Sequence, residues 1–161
     1  MSKIDFEGTV SWYKGFESNR DMGENLQDGD QKDKMVSEHG HYNAIVTVTE
    51  ETRKAMIDAG CTTKGMIGNF WQKQNDDGTW DYKIKRPHFN TKVNKGEGKV
   101  MGPPITVDTE NVPWDTDVEV GNGSKCKIRL DNWNGKILTW EATRVIELVE
   151  FVPDSDPLSG F

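Results

Sequence analysis

Residues 124–130 read Ser-Lys-Cys-Lys-Ile-Arg-Leu, an alternation that a helix cannot use. In an extended chain successive side chains point to opposite faces. Cys126, Ile128 and Leu130 then share one face, and Lys125, Lys127 and Arg129 share the other. The stretch therefore predicts a strand with one buried and one solvated face. The same period recurs in residues 80–85, where Trp80, Tyr82 and Ile84 alternate with Asp81, Lys83 and Lys85.

Other stretches extend this pattern. Residues 6–16 and 41–49 are rich in Val, Thr, Ile and aromatic residues, which fit a pleated surface. On the first of them Trp12 is expected on the core side with Val10, and Tyr13 on the opposite face. Asp77-Gly78 predicts a turn between two strands. A terminal hairpin is expected, with arms 124–130 and 136–151 around Asp131-Asn-Trp-Asn-Gly135. Its second arm slips out of alternation near Thr143-Arg144, as a β-bulge would make it. Residues 50–59 predict the one helix. Thr49 is its N-cap, Glu50 and Glu51 suit the first turn, Ala55, Met56 and Ala59 form a short apolar face, and Gly60 is the stop. Residues 17–40 and 91–99 read as long polar loops. The pattern predicts an all-β, mainly antiparallel protein, an OB-fold-like five-stranded barrel with one short helix and long loops. An immunoglobulin-like sandwich would not usually include the helix. One domain over 1–150 and a flexible acidic tail over 151–161 are expected.

Composition narrows the function classes. No apolar run approaches the ~20 residues that span a bilayer, and no apolar stretch follows Lys3, so neither a membrane protein nor a secretory leader is expected. The two cysteines, Cys61 and Cys126, lie far apart and are expected reduced. The net charge is −7, but it is unevenly spread. Residues 1–60 hold 7 basic and 12 acidic side chains, residues 61–100 hold 8 and 4, and residues 101–161 hold 5 and 11. A basic middle within an acidic chain is compatible with binding a polyanion.

Catalytic signatures are missing. The sequence has no phosphate-cradling or dinucleotide loop, no nucleophile elbow and no metalloprotease motif. His39, His41 and His88 have no metal-ligand spacing with the cysteines. Asp76-Asp77 and Asp115/Asp117 read as turn residues. No catalytic residue, metal or cofactor is expected, and a metal-dependent nuclease is weakly supported.

Aromatic residues beside cations form the more informative pattern. Trp12-Tyr13-Lys14, Trp71 with Lys73, Tyr82-Lys83, Lys85-Arg86 with Phe89, and Arg129 with Trp133 are such groups. Single-strand binders stack bases on aromatic faces while Lys and Arg follow the phosphates. The candidate contacts are Tyr13, Lys14, Lys83, Lys85, Arg86, Lys127, Arg129 and Trp133. Trp80 and Tyr82 fit a core. Lys127 and Arg129 fit either a solvated face or a phosphate rail.

Gly121-Asn122-Gly123-Ser124 leads into the alternating strand Lys125–Leu130, and the run Val145–Val149 closes the second arm. In these features the last third of the chain resembles the single-stranded DNA-binding proteins of short-tailed bacteriophages. The blocks GTVSWYKGFE, YNAIVTVTEET and KRPHFN are similar in kind and order. The resemblance implies a non-enzymatic protein that coats single-stranded DNA during phage replication and recombination, in the cytoplasm of an infected bacterium. It also implies a C-terminal docking tail, here with Asp154, Asp156 and Phe161, that recruits replication enzymes such as polymerase and helicase-primase. A homodimer is compatible with it. The alternative is a structural or assembly protein of a virion.

Overall fold

Strand pairing follows the alternation. The computed structural model describes residues 2–21, 40–67, 70–90, 98–133 and 137–150. The middle of the expected loop 17–40, most of loop 91–99, residues 134–136 of the hairpin turn and the whole tail 151–161 lie outside the described residues.

The strands are β1 (Ser2–Lys14), β2 (His41–Val48), β3 (Met66–Ile67), β4 (Phe70–Gln74), β5 (Trp80–Pro87), β6 (Phe89–Asn90), β7 (Lys99–Val100), β8 (Ile105–Val107), β9 (Ser124–Trp133) and β10 (Ile137–Glu147). Eight of them form one sheet in the order β3-β4-β5-β2-β1-β9-β10-β8, and β6 and β7 form a separate ribbon. The fold is all-β and mainly antiparallel, as expected, with β8 alone joining the main sheet in parallel. The five-stranded barrel is not what forms. Short β3 and β8 extend the sheet, and among the described residues no ladder joins its two ends.

The sheet nevertheless curls, so that β10 comes back against β5. Arg86 spans this seam. Its guanidinium donates to the carbonyl oxygens of Gly102 (2.9 Å), Met101 (3.1 Å) and Trp140 (3.4 Å). Three acceptors allow a cation to be half-buried there. Inside the curl, Ile4, Phe6, Val10, Tyr42, Val46, Tyr82, Ile84, Ile128, Leu130 and Trp140 form the core.

The helix, α1 (Glu50–Asp58), falls where expected between β2 and β3. Thr49 caps it by accepting from the Thr52 amide at 3.2 Å. Its buried face is Arg53 and Met56, not the alanines. Arg53 lies 3.4 Å from the Trp80 ring centroid, donates to the Tyr82 hydroxyl at 2.8 Å and also reaches Gln72. The expected bulge in the second hairpin arm is real but double: the β9–β10 register shifts between Trp140 and Ala142 and again between Val145 and Glu147. The first arm runs to Trp133, through what the sequence marks as a turn.

Candidate nucleic-acid interface

One irregularity decides which aromatic residues reach the surface. The β1–β2 register shifts between Ser11 and Lys14, and Trp12 takes φ +53°, a left-handed conformation uncommon for a bulky residue. A bulge of this kind inserts a residue and re-aims those after it. Trp12 is consequently 66% exposed, while Tyr13 is buried at 6%. Tyr13 packs edge-on against Trp140 and shares a 2.8 Å hydrogen bond with the Thr106 hydroxyl. Burial raises its pKa. The expected assignment of Trp12 to the core and Tyr13 to the surface is therefore reversed, and Tyr13 is no surface contact.

The motif Gly121–Ser124 holds this bulge. Asn122 Oδ1 accepts from the freed Trp12 amide at 2.8 Å, and the Gly123 amide donates to the Val10 carbonyl at 2.8 Å. Gly123 has φ +91°, which only glycine takes without strain. Ser124 accepts from the Val149 amide at 2.8 Å and thereby ties in the segment that follows Glu147.

Beyond the bulge the outer face of β4, β5, β2 and β1 is arranged in three cross-strand rows. Trp71, Lys83, Ile45 and Ser11 stand opposite one another in the first. Lys85, Asn43 and Lys14 form the second. Lys73, Asp81, Thr47 and Thr9 form the third. These rows hold four lysines and one carboxylate, with Asp21 beside His41 and Asn43 at their edge. The carboxylate of Asp81 is bound to the neutral donors Thr47 (2.6 Å) and Asn75 (3.0 Å). Among the described residues no ion pair engages Lys14, Lys73, Lys83 or Lys85. His41 adjoins the lysine row, and burial followed by Lys85 pushes its pKa below the usual value, against an opposing pull from Asp21.

Of the candidate contacts, the structure brings Lys14, Lys83 and Lys85 together on one face. It adds Trp71 and Lys73, which sit in strand β4, and it exposes Trp12 beside Lys14. The aromatic–cation spacing Trp71–Lys73 was visible in the sequence; the outward turn of Trp12 was not, because it depends on the bulge.

Arg86 does not join this face. Alternation turns it the other way, onto the seam carbonyls described above. Lys127, Arg129 and Trp133 lie on the other half of the sheet's outer side. There Arg129 grips Asp5 through two bonds of 2.7 and 2.8 Å. That pairing holds the Asp5 carboxyl below its usual pKa and raises the pKa of Arg129. Lys3 binds Asp131 and, at 2.7 Å, Glu141. Trp133 is 49% exposed opposite Ile137, at the far end of the hairpin. Asp154, Asp156 and Phe161 lie outside the described residues. Among the described residues no cluster of His, Cys, Asp and Glu could hold a metal ion, and no helix is long and apolar enough to cross a membrane.

The fold and this face define a curled, OB-like β-domain with a lysine- and tryptophan-bearing outer surface. Its shape is similar to the crystal structure of gp2.5, a single-stranded DNA binding protein encoded by bacteriophage T7. The two share a TM-score of 0.62 and 19% sequence identity, and the match covers 97% of each chain. The likeness establishes the fold. No protein-family profile and no curated protein sequence matches the chain.

Proposed function

We propose that this protein binds single-stranded DNA without strong sequence preference, through the face of β4, β5, β2 and the end of β1. The observation that carries the reading is the set of lysines at 14, 73, 83 and 85, with no ion-pair partner among the described residues, beside Trp71 and the exposed Trp12. Lysines without carboxylate partners release counterions from a phosphate backbone at little cost, and aromatic faces accept any base. The fold shared with a phage single-stranded DNA binding protein supports the same reading. In this role the protein coats strands during phage replication and recombination, inside an infected bacterium. The acidic segment with Asp154, Asp156 and Phe161 recruits replication enzymes.

The test is tryptophan fluorescence during titration with oligothymidylate at two salt concentrations, with duplex as the control. Quenching by the single strand that weakens with salt and is absent with duplex is the expected result. No change at low salt overturns the reading.

A further inference from the structure

Arg144 stands opposite Lys127 in the β9–β10 register, both on the outer side of the sheet. Like charges placed directly opposite are destabilising unless something lies between them to offset the repulsion. The carboxylates nearby do not. Asp5 is committed to Arg129 by its bidentate pair. Glu7 is the register partner of Lys127 on β1, yet no ion pair joins them. The two cations instead border a pocket whose walls include Asp5, Val107, Lys127, Arg129, Ala142 and Arg144. Three cations and one already paired carboxylate leave the pocket with an excess of two positive charges.

The guanidinium of Arg144 adds a second, independent observation. Arg129 and Arg144 both offer the side edge of the guanidinium, Nε with Nη2. In Arg129 that edge is filled, since Nε and Nη2 each donate to Asp5. In Arg144 it is half filled. Nη2 donates to Asn111 Oδ1 at 2.7 Å, while Nε is buried with no hydrogen-bond partner among the described residues. A buried N–H without an acceptor is costly, and the guanidinium edge matches the oxygens of a tetrahedral or planar oxyanion. Asn111 is itself fixed by its turn, with φ +64° and Asp108 Oδ1 accepting from the Glu110 and Val112 amides. The arginine is therefore held at Nη2 while its Nε edge is left to turn toward the pocket.

We propose that this pocket is a phosphate-binding seat, with Arg144 as the fork and Lys127 as the opposing charge. It lies on the half of the sheet away from the lysine rows. The phosphate comes either from inorganic phosphate or from a backbone phosphate of a bound strand; only the second source rests on the single-strand reading above.

The test follows the arginine Nε–H signals of the full-length protein by ¹⁵N NMR, with Arg144→Lys assigning the signal of interest. Inorganic phosphate, oligothymidylate and acetate are titrated separately. Saturable movement of the Arg144 signal with phosphate, at concentrations well below those at which acetate moves it at the same ionic strength, is expected, because the pocket's two excess positive charges favour the more highly charged anion. Arg144→Lys keeps the charge and loses the fork, so phosphate affinity, read at the Lys127 amide, falls about tenfold. Movement with phosphate but not with oligothymidylate supports the seat and assigns it to free phosphate. Movement with oligothymidylate alone supports it and assigns it to the strand. An Arg144 signal unmoved by both ligands, or moved equally by acetate, overturns the proposal. Failure of oligothymidylate to quench tryptophan fluorescence is a separate result and bears on the single-strand reading alone.

Discussion

Strand β1 passes through two surfaces of opposite character. Residues 2–10 pair with β9, and this half of the sheet carries Lys3, Lys125, Lys127, Arg129 and Arg144 against Asp5, Glu7, Asp131, Glu141 and Glu147. Residues 9–14 pair with β2, and the half that continues into β5 and β4 carries Lys14, Lys73, Lys83 and Lys85 against Asp81 and, beside His41, Asp21. Both halves contain a cationic strand, and in sequence they look alike. They differ in where their charges are spent. Arg129 and Lys3 hold carboxylates on neighbouring strands, so a DNA phosphate would have to compete for them. The lysines of the other half have no such partner among the described residues. Cation count alone is therefore a poor guide to a polyanion site; the partners across the strand decide it.

The largest expected effect comes from removing the free charges. Lys83→Ala with Lys85→Ala weakens oligothymidylate binding on the order of a hundredfold at low salt, about tenfold per charge-assisted contact. The salt slope falls by about 1.4, twice the ~0.7 of one single-strand phosphate contact. Arg129→Gln, by contrast, leaves affinity within about twofold, because Asp5 already uses that charge. Equal losses from the two variants would erase the distinction between the halves.

Arg86 belongs to neither face, and its effect is expected on stability. Arg86→Met removes three bonds to carbonyls across the seam and lowers unfolding free energy by about 2 kcal/mol in urea titrations. Affinity per folded molecule stays the same. A binding defect without a stability defect would return Arg86 to the interface.

The aromatic residues sharpen the comparison at a smaller scale. Trp71→Ala lowers oligonucleotide affinity about tenfold, within the ~1–3 kcal/mol of one stacked base, while Trp133→Ala has little effect. Asn122→Ala leaves the Trp12 amide without its acceptor and costs about 1 kcal/mol of stability. It also shifts Trp12 emission, because the bulge that turns this ring outward loosens. An unaltered spectrum would mean that the bulge holds without its tether.

The smallest effect is a pH dependence. The folded protein keeps His41 below its ordinary pKa, through burial and Lys85. The unfolded chain takes up this proton near 6.5 and the folded chain only at lower pH, so the contribution to stability is present above that range and lost as pH falls through it. A phosphate bound at the Lys85 row raises the His41 pKa. Strand binding then takes up a proton and strengthens a few-fold as pH drops below neutrality. A His41 NMR titration unchanged by oligothymidylate would remove the phosphate from that row.

Much of the fold was legible from local pattern. Alternation in residues 80–85 and 124–130 marks β5 and β9, and Thr49 with Glu50, Glu51 and Gly60 brackets α1. These signals are readable because strand and helix periods are properties of neighbouring residues. The sites of Lys83 and Lys85 were legible for the same reason, as both follow from the alternation of β5, whereas Lys14 reaches the outer face only because the bulge shifts the β1 register after Ser11. The surface roles of Trp12 and Tyr13 were not. A left-handed Trp12 exchanges their faces, and the group that stabilises it, Asn122, is 110 residues away. Arg129 likewise meets Asp5 across 124 residues, and Arg86 reaches Trp140 across 54. The sequence by itself determined which segments extend and which coil, since that depends on spacing along the chain. Tertiary structure alone decided which cations remain open to a ligand, because charge pairing acts through space and is set by which strands lie side by side.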